Sequence, residues 1–310
     1  MPPRSKATSL LNRLRNPAAG SRCAQCAFGS PSRSFSSPSS SNPSDSAYTS
    51  VSPDEVSHFN ALASSWWDPQ GPSRILHLMN PLRHDFIRSC RSSVPDATPP
   101  SSTGLKYLDI GCGGGIFAES AARLPTTASV TAIDPSSEVV SVAKAHAKRD
   151  PALRFKLTYL NTPIEQLPIP NTPKDGYDVV SIFEVIEHVS NPAQFLDRCT
   201  PFVKPGGWLV LSTIARTWMS WFTTNLMAED LLRIVPKGTH DWRKYVNEEE
   251  LRNHFLHKRT EWSEPRCMGV IYVPGLGWKE VSGSEKVGNY FFGVRRVSES
   301  VSQDTNLGSP

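Results

Sequence analysis

The stretch Leu108-Asp109-Ile110-Gly111-Cys112-Gly113-Gly114-Gly115 admits few folds, because an apolar strand runs straight into a glycine-dense turn and a helical pattern follows from Phe117. Glycines at 111 and 113 let the backbone approach a ligand closely and free amide groups to bind it. A glycine turn needed only for packing is the alternative. Asp134 ends the next strand-like run, 23 residues past Gly111. A carboxylate there suits a neutral ribose diol, whereas a 2′-phosphate would be repelled. A nicotinamide-dinucleotide fingerprint requires Gly or Ala at the sixth position of the motif, and that position is Ile116, which weakens a dehydrogenase reading. Asp109, just before the turn, could face a cationic or amino group.

Beyond this turn the pattern alternates between strand and helix, the signature of an α/β chain whose parallel sheet is covered on both faces. Seven strands are predicted: Lys106–Ile110, Val130–Ile133, Phe155–Leu160, Asp178–Phe183, Trp208–Thr213, Met268–Val273 and Tyr290–Val297. Helices are predicted over Phe117–Leu124, Ser137–Arg149, Ala193–Val203 and Asn247–Phe255. Ahead of them, residues 52–93 read as an N-terminal helical cap: Ser52, Pro53, Asp54 and Glu55 make a helix start that runs into Ala63, and apolar residues recur at helical spacing over Leu76–Cys90. Residues 94–104, rich in Pro, Ser and Thr, read as a linker to the main domain, 105–297. Within that domain, 214–245 is an insertion after the fifth strand, and 298–310 is read as a disordered tail.

The formal net charge of +4 misleads until it is divided along the chain. Between Met1 and Ser44 lie Arg4, Lys6, Arg13, Arg15, Arg22 and Arg33 and no acidic residue, so the remainder carries 27 basic against 29 acidic groups. An Arg-rich, Ser-rich, acid-free leader with Leu10, Leu11 and Leu14 on one helical face has the pattern of a mitochondrial transit peptide, assigned here to residues 1–47. An ordinary basic tail is the alternative. The slightly acidic remainder has no basic stripe, which excludes nucleic acid as an expected partner. The longest uncharged greasy stretch, Thr217–Ala228, holds a dozen residues, well short of the roughly 20 that a membrane-spanning helix needs.

A second constellation is Phe183-Glu184-Val185-Ile186-Glu187-His188, at the carboxyl end of the fourth predicted strand, where open α/β sheets hold ligands. If the turn from Glu184 is helical, Glu184, Glu187 and His188 share one face at i, i+3 and i+4. Two carboxylates and an imidazole converging there could hold a divalent cation. Alternatively, Glu187 caps backbone and His188 acts alone as a general base or sits in the core.

Taken together, Asp109–Gly115, Asp134, Glu184–Val189 and Lys204–Gly207 resemble a class I S-adenosylmethionine-dependent methyltransferase. Further strings narrow the resemblance: FNALASSWWD from Phe59, LHLMNPLR from Leu76, VPKGTHD from Val235, and Asn289-Tyr290-Phe291. With these, residues from Phe59 to Arg295 are similar to the ubiquinone biosynthesis O-methyltransferase family in its mitochondrial form. The resemblance implies a Rossmann-like seven-stranded sheet with helices on both faces. It implies S-adenosylmethionine as methyl donor, held by Arg83, Gly111, Asp134 and Phe183, and the turn itself adds Asp109 and Gly113 as cofactor-binding candidates. It also implies Mg²⁺ or another divalent cation on Glu184, Glu187 and His188, with Glu187 and His188 catalytic and His188 the fallback base. Ala215 departs from the family's usual Asn, so a polar contact to substrate is lost or replaced there.

The implied substrates are polyprenylated catechols of ubiquinone biosynthesis, polyprenyl-dihydroxybenzoate and demethylubiquinol. Such a tail is too greasy to be free in water, so the enzyme is expected at the matrix side of the mitochondrial inner membrane as a peripheral protein, in the company of other ubiquinone-biosynthesis proteins. The 214–245 insertion, carrying Trp218, Trp221, Phe222 and nearby basic residues, is expected to be a lid, a membrane contact, or both. The rival readings are a methyltransferase of another small molecule and a non-catalytic scaffold.

Overall fold

A computed structural model describes residues 48–94, 104–216, 246–258 and 261–297. The expected leader, most of the linker, the body of the insertion with Trp218 and Trp221, and the tail lie outside the described residues. Five strands pair in parallel: β1 (Leu105–Ile110), β2 (Thr127–Asp134), β3 (Leu157–Asn161), β4 (Tyr177–Phe183) and β5 (Val203–Ile214). Three more, β6 (Arg266–Val273), β7 (Gly277–Glu280) and β8 (Asn289–Arg295), join antiparallel, and the sheet order is β3-β2-β1-β4-β5-β8-β6-β7.

The sheet thus has eight strands where seven are predicted. The additional one is β7, four residues that pair with β6 after a turn containing two left-handed glycines, Gly275 (φ 82°) and Gly277 (φ 75°). Its brevity and the glycines on either side of Leu276 read as plain turn in the sequence. A second difference is at Phe155, expected in the third strand, which lies ahead of β3 and is 89% exposed. The expected long fifth helix is also shorter: α5 (Pro192–Cys199) gives way to a single 3₁₀ turn, and Val203 already opens β5.

Side chains that alternate along the central strands feed two separate cores, as a strand covered on both faces requires. Leu108, Val180, Ile182, Leu209 and Leu211 meet Phe195 and Leu196 of α5 and Leu251 and Phe255 of α6 (Glu248–Leu256). Tyr107, Val179, Phe183 and Val210 meet α2 (Arg74–Ser92), α3 (Ile116–Arg123) and α4 (Ser137–Ala147). The expected N-terminal cap is therefore tied into the sheet: Phe86 of α2 stacks on Phe291 of β8 with ring centroids 5.5 Å apart. The first helix, α1 (Pro53–Leu62), begins at Ser52 as expected, but the serine side chain makes no capping hydrogen bond. Strand order reverses between β1 and β4, and the carboxyl ends of these strands form the crevice where such sheets bind ligands. Among the described residues no helix is long and apolar enough to cross a membrane.

Candidate active site

A cavity of about 650 Å³ opens at that crevice, and it is lined by Arg83, Asp109, Gly111, Gly113, Asp134, Phe183, Glu184, Glu187 and His188 together. All nine residues singled out in the sequence therefore share one site.

The glycine turn is built as its composition demands. Gly111 (φ 70°) and Gly113 (φ 52°) both lie in the left-handed region, where a side chain is strained. Close approach is made by the protein's own side chains: a Cβ at residue 111 would lie 2.4 Å from Val185 Cγ2, and one at residue 113 would lie 2.4 Å from the Trp66 ring. The adjacent Trp67 donates its indole N–H to the carbonyl of Gly114 at 2.8 Å and stacks on His146, with ring centroids 3.5 Å apart. The WWD string thus clamps the turn from outside. Asp134 ties the ends of β1 and β2 together, accepting from the Gly113 amide at 3.0 Å and the Ser136 amide at 2.9 Å.

At the polar end of the cavity, Asp109 is buried and accepts from Ser181 Oγ at 2.7 Å. Burial pushes its carboxyl up to about 7, against the opposing pull of the Ser181 hydrogen bond and of Arg83. Arg83, delivered by α2, lies buried over the Phe183 ring at 5.0 Å. Burial lowers its affinity for its proton, and the negative charges of Glu184 and Asp109 offset this in part. Its Nε has no hydrogen-bond partner among the described residues. A buried guanidinium with an unused donor, beside a carboxylate and a ribose-type acidic residue, fits an α-amino-acid end joined to a nucleoside.

The second constellation departs from the helical-face expectation. Glu184 takes a left-handed conformation (φ 57°), rare for a residue with a side chain, and only Ile186–His188 forms a turn, of 3₁₀ type. Each group consequently finds a different protein partner. Glu184 accepts from Ser212 Oγ at 2.5 Å, and Glu187 accepts from Thr213 Oγ1 at 2.9 Å. His188 Nδ1 lies 2.9 Å from Glu55 Oε2. Among the described residues no three His, Cys, Asp or Glu side chains converge to hold a metal ion. The expected cation set is therefore not assembled in this arrangement. The cluster is nonetheless acidic: burial and the neighbouring charge of Glu184 raise Glu187 to about 7. Burial pulls His188 down, but its hydrogen bond to Glu55 and the surrounding carboxylates leave it above its ordinary value.

Glu55, Phe59 and Trp66 are site residues that sequence reasoning missed. Glu55 reads locally as an acid in the first turn of a helix, and nothing in its neighbourhood points to a partner 133 positions away. Phe59, one turn further along α1, sets its ring edge-on to the His188 imidazole at 5.0 Å. The tryptophan pair does carry a signal, since two exposed indoles in a polar stretch would be unusual. Ala215, where the family usually has Asn, is buried and donates its amide to the Gly288 carbonyl at 2.9 Å.

Comparison with known proteins places the chain by sequence and by fold. A family model for a methyltransferase domain matches residues 82–259. The mitochondrial ubiquinone biosynthesis O-methyltransferase of Candida albicans is 41% identical over 287 residues, covering 80% of this chain and 86% of that protein. Its namesake in Schizosaccharomyces pombe is 41% identical over 299 residues, covering 93% and 97%. Among solved structures, the plantazolicin methyltransferase BpumL in complex with SAH superposes with a TM-score of 0.51 over 78% of this chain and 97% of its own, at 19% identity, a likeness of fold. On the family model and these relatives, the chain belongs to the ubiquinone biosynthesis O-methyltransferase family, S-adenosylmethionine-dependent enzymes with the class I, Rossmann-like fold.

Proposed function

We propose that this chain methylates a catechol hydroxyl of polyprenylated intermediates of ubiquinone biosynthesis, polyprenyl-dihydroxybenzoate and demethylubiquinol. The observation that carries this reading is a single cavity joining the Arg83–Asp109–Asp134 end to the Glu55–His188 pair. S-adenosylmethionine supplies a methyl group already activated on a sulfonium. Arg83 suits its carboxylate, Asp109 its amino end, and Asp134 its ribose, with the Gly111–Gly113 turn shaping the floor. The chain's remaining task is to align an acceptor oxygen in line with that methyl and to remove its proton.

A phenol titrates near pH 10, so little nucleophile exists at neutral pH without a base. Glu55 accepts from the Nδ1–H of His188, which fixes the tautomer and leaves Nε2 as the ring's proton acceptor. As the oxygen–methyl bond forms and the sulfur–methyl bond breaks, the hydroxyl proton passes to His188, and Glu55 and Glu187 stabilise the imidazolium. Phe59 and Trp66 line the cavity and reduce water around this exchange. The divalent cation implied by the resemblance would be held by Glu184, Glu187 and His188. Since those side chains are turned to Ser212, Thr213 and Glu55, deprotonation is assigned to the chain's own groups.

The mitochondrial names of the relatives and the acid-free leader support a mitochondrial location. Peripheral attachment at the matrix face of the inner membrane, and assembly with other ubiquinone-biosynthesis proteins, follow from the greasiness of such a substrate. The deciding assay is methyl transfer from S-adenosylmethionine to a prenylated catechol, with and without magnesium. No transfer to any catechol would overturn this substrate and leave a methyltransferase of another small molecule.

A further inference from the structure

Strand register orders the cavity wall along the carboxyl edge of the sheet. Phe183 of β4 pairs with Ser212 of β5, Ile214 with Asn289 of β8, Asn289 with Val270 of β6, and Tyr272 of β6 with Trp278 of β7. The polar cofactor-type groups sit at β2, β1 and β4, whereas the far wall is made by Val270, Ile271, Tyr272, Pro274, Trp278 and Val287. No cavity-lining residue of the β6–β7 hairpin is charged. Trp278 spends its indole N–H on the carbonyl of Ile75 at 3.1 Å and meets the Tyr272 ring at 5.4 Å, so its remaining surface is hydrocarbon. From β4 to β7 is four strand steps, roughly 20 Å at about 4.8 Å per step. That is far more apolar wall than a catechol ring can cover.

The wall also leads outward. Ile271 (39% exposed) and Val287 (41%) line the cavity and face solvent at once, and beyond them Leu276 at the hairpin turn is 68% exposed. An apolar wall in the cavity that also holds His188, reaching a solvent-exposed greasy rim, fits a ligand with a polar aromatic head and a long hydrocarbon tail.

We infer that the β6–β7 hairpin, with Val287, is the subsite for the first isoprene units of the acceptor, and that Ile271 and Val287 form the rim over which the rest of the tail leaves the protein. This rests on the polyprenylated-catechol reading above and adds the location and residues of tail recognition. The cavity's volume of about 650 Å³ must hold the cofactor as well as the acceptor's head group, so at most the first part of a polyprenyl tail lies inside it.

The test is kcat/KM of the full-length chain for catechol acceptors bearing no, one, two or three isoprene units. In the wild type the first unit is expected to raise kcat/KM by about tenfold or more. Ile271→Glu and Val287→Glu, at rim positions already open to water, are expected to bring the prenylated-to-unprenylated ratio to within about threefold of unity. Ile169→Glu, at a residue 49% exposed and outside the cavity, should keep the wild-type ratio. A wild-type gain that persists in both rim variants would overturn the subsite while leaving the substrate reading intact. No gain with prenyl length in the wild type would overturn the substrate reading, and the subsite with it.

Discussion

Glu55 and His188 lie 133 positions apart in the chain and 2.9 Å apart in the fold. Helix α1 brings the carboxylate over the end of β4, and Phe59, one turn on, closes the imidazole's edge at 5.0 Å. The pair has the geometry of a base and its orienting acid. His188→Gln is expected to lower kcat by about 10²–10⁴-fold, the usual worth of a positioned general base. Glu55→Gln should remove part of that, roughly 10- to 100-fold, with KM for the acceptor little changed. Because the two act as a unit, the double variant should be no worse than His188→Gln. Steady-state kinetics on the four proteins checks this; additive losses would separate Glu55 from the base.

Arg83 is buried, and its Nε donor has no partner among the described residues. A ligand carboxylate is the group that would complete it. Arg83→Met should weaken binding of S-adenosylmethionine and of S-adenosylhomocysteine alike, by about 30-fold or more, since both carry the same amino-acid end. Titration calorimetry on the two nucleosides decides it. Unchanged affinity for both would mean that the carboxylate is held by other groups.

With Asp109 at the cofactor's amino end, as proposed, cofactor binding should depend on pH. Burial places its carboxyl at about 7, and a cationic ligand end favours the ionised form. Affinity for S-adenosylmethionine should therefore fall as pH drops below 7, by up to about tenfold per unit, and Asp109→Asn should flatten that dependence. The stability sign is opposite. With a folded-state value above the ordinary 3.8, the favourable protonated form is full at low pH and lost as pH rises through 7. Asp109→Asn should therefore raise Tm more at pH 8 than at pH 5, by roughly 5 °C.

The features legible in the sequence are those whose cause is local. Gly111, Gly113 and the strand before them announce a sharp turn, Asp134 follows at the spacing its role needs, and the apolar runs of β1, β4 and β5 can only be buried strands. What escaped is either short or distant. β7 is four residues beside a glycine turn, too brief for periodicity. The Glu184 elbow escaped because spacing assumes regular helix, and one left-handed residue breaks i, i+3, i+4 geometry. Glu55 was hidden because a helix-start acid already has a sufficient local explanation.

The donor arrangement at the Glu184 elbow bears on metal binding by the free enzyme. With Glu184 on Ser212, Glu187 on Thr213 and His188 on Glu55, a cation bound by these three side chains must break existing hydrogen bonds. Millimolar magnesium should therefore shift Tm of the acceptor-free protein by less than about 1 °C. Thermal melts of the wild type and Glu187→Gln check this. A saturable shift that Glu187→Gln abolishes would show the three side chains gathering without substrate.

Val185 of the second constellation lies against Gly111 of the first, so the two are expected to be coupled. Gly111→Ala faces two costs: a left-handed φ of 70° for a residue with a side chain, and a Cβ placed 2.4 Å from Val185 Cγ2. The first costs about 1–2 kcal/mol, and the second adds overpacking of about 1–3 kcal/mol. Val185→Ala removes only the second, because the clashing atom is a side-chain methyl. Chemical denaturation should therefore show Gly111→Ala losing about 2–5 kcal/mol and Gly111→Ala/Val185→Ala losing less than the sum of the single variants, a coupling of about 1 kcal/mol or more. Since Val185 lies between Glu184 and the 3₁₀ turn bearing Glu187 and His188, Gly111→Ala alone should also displace the base. Its kcat should fall beyond what weakened cofactor binding explains, and Val185→Ala should restore part of the stability but not the rate. Full restoration of both would show that the turn and the elbow touch without cooperating.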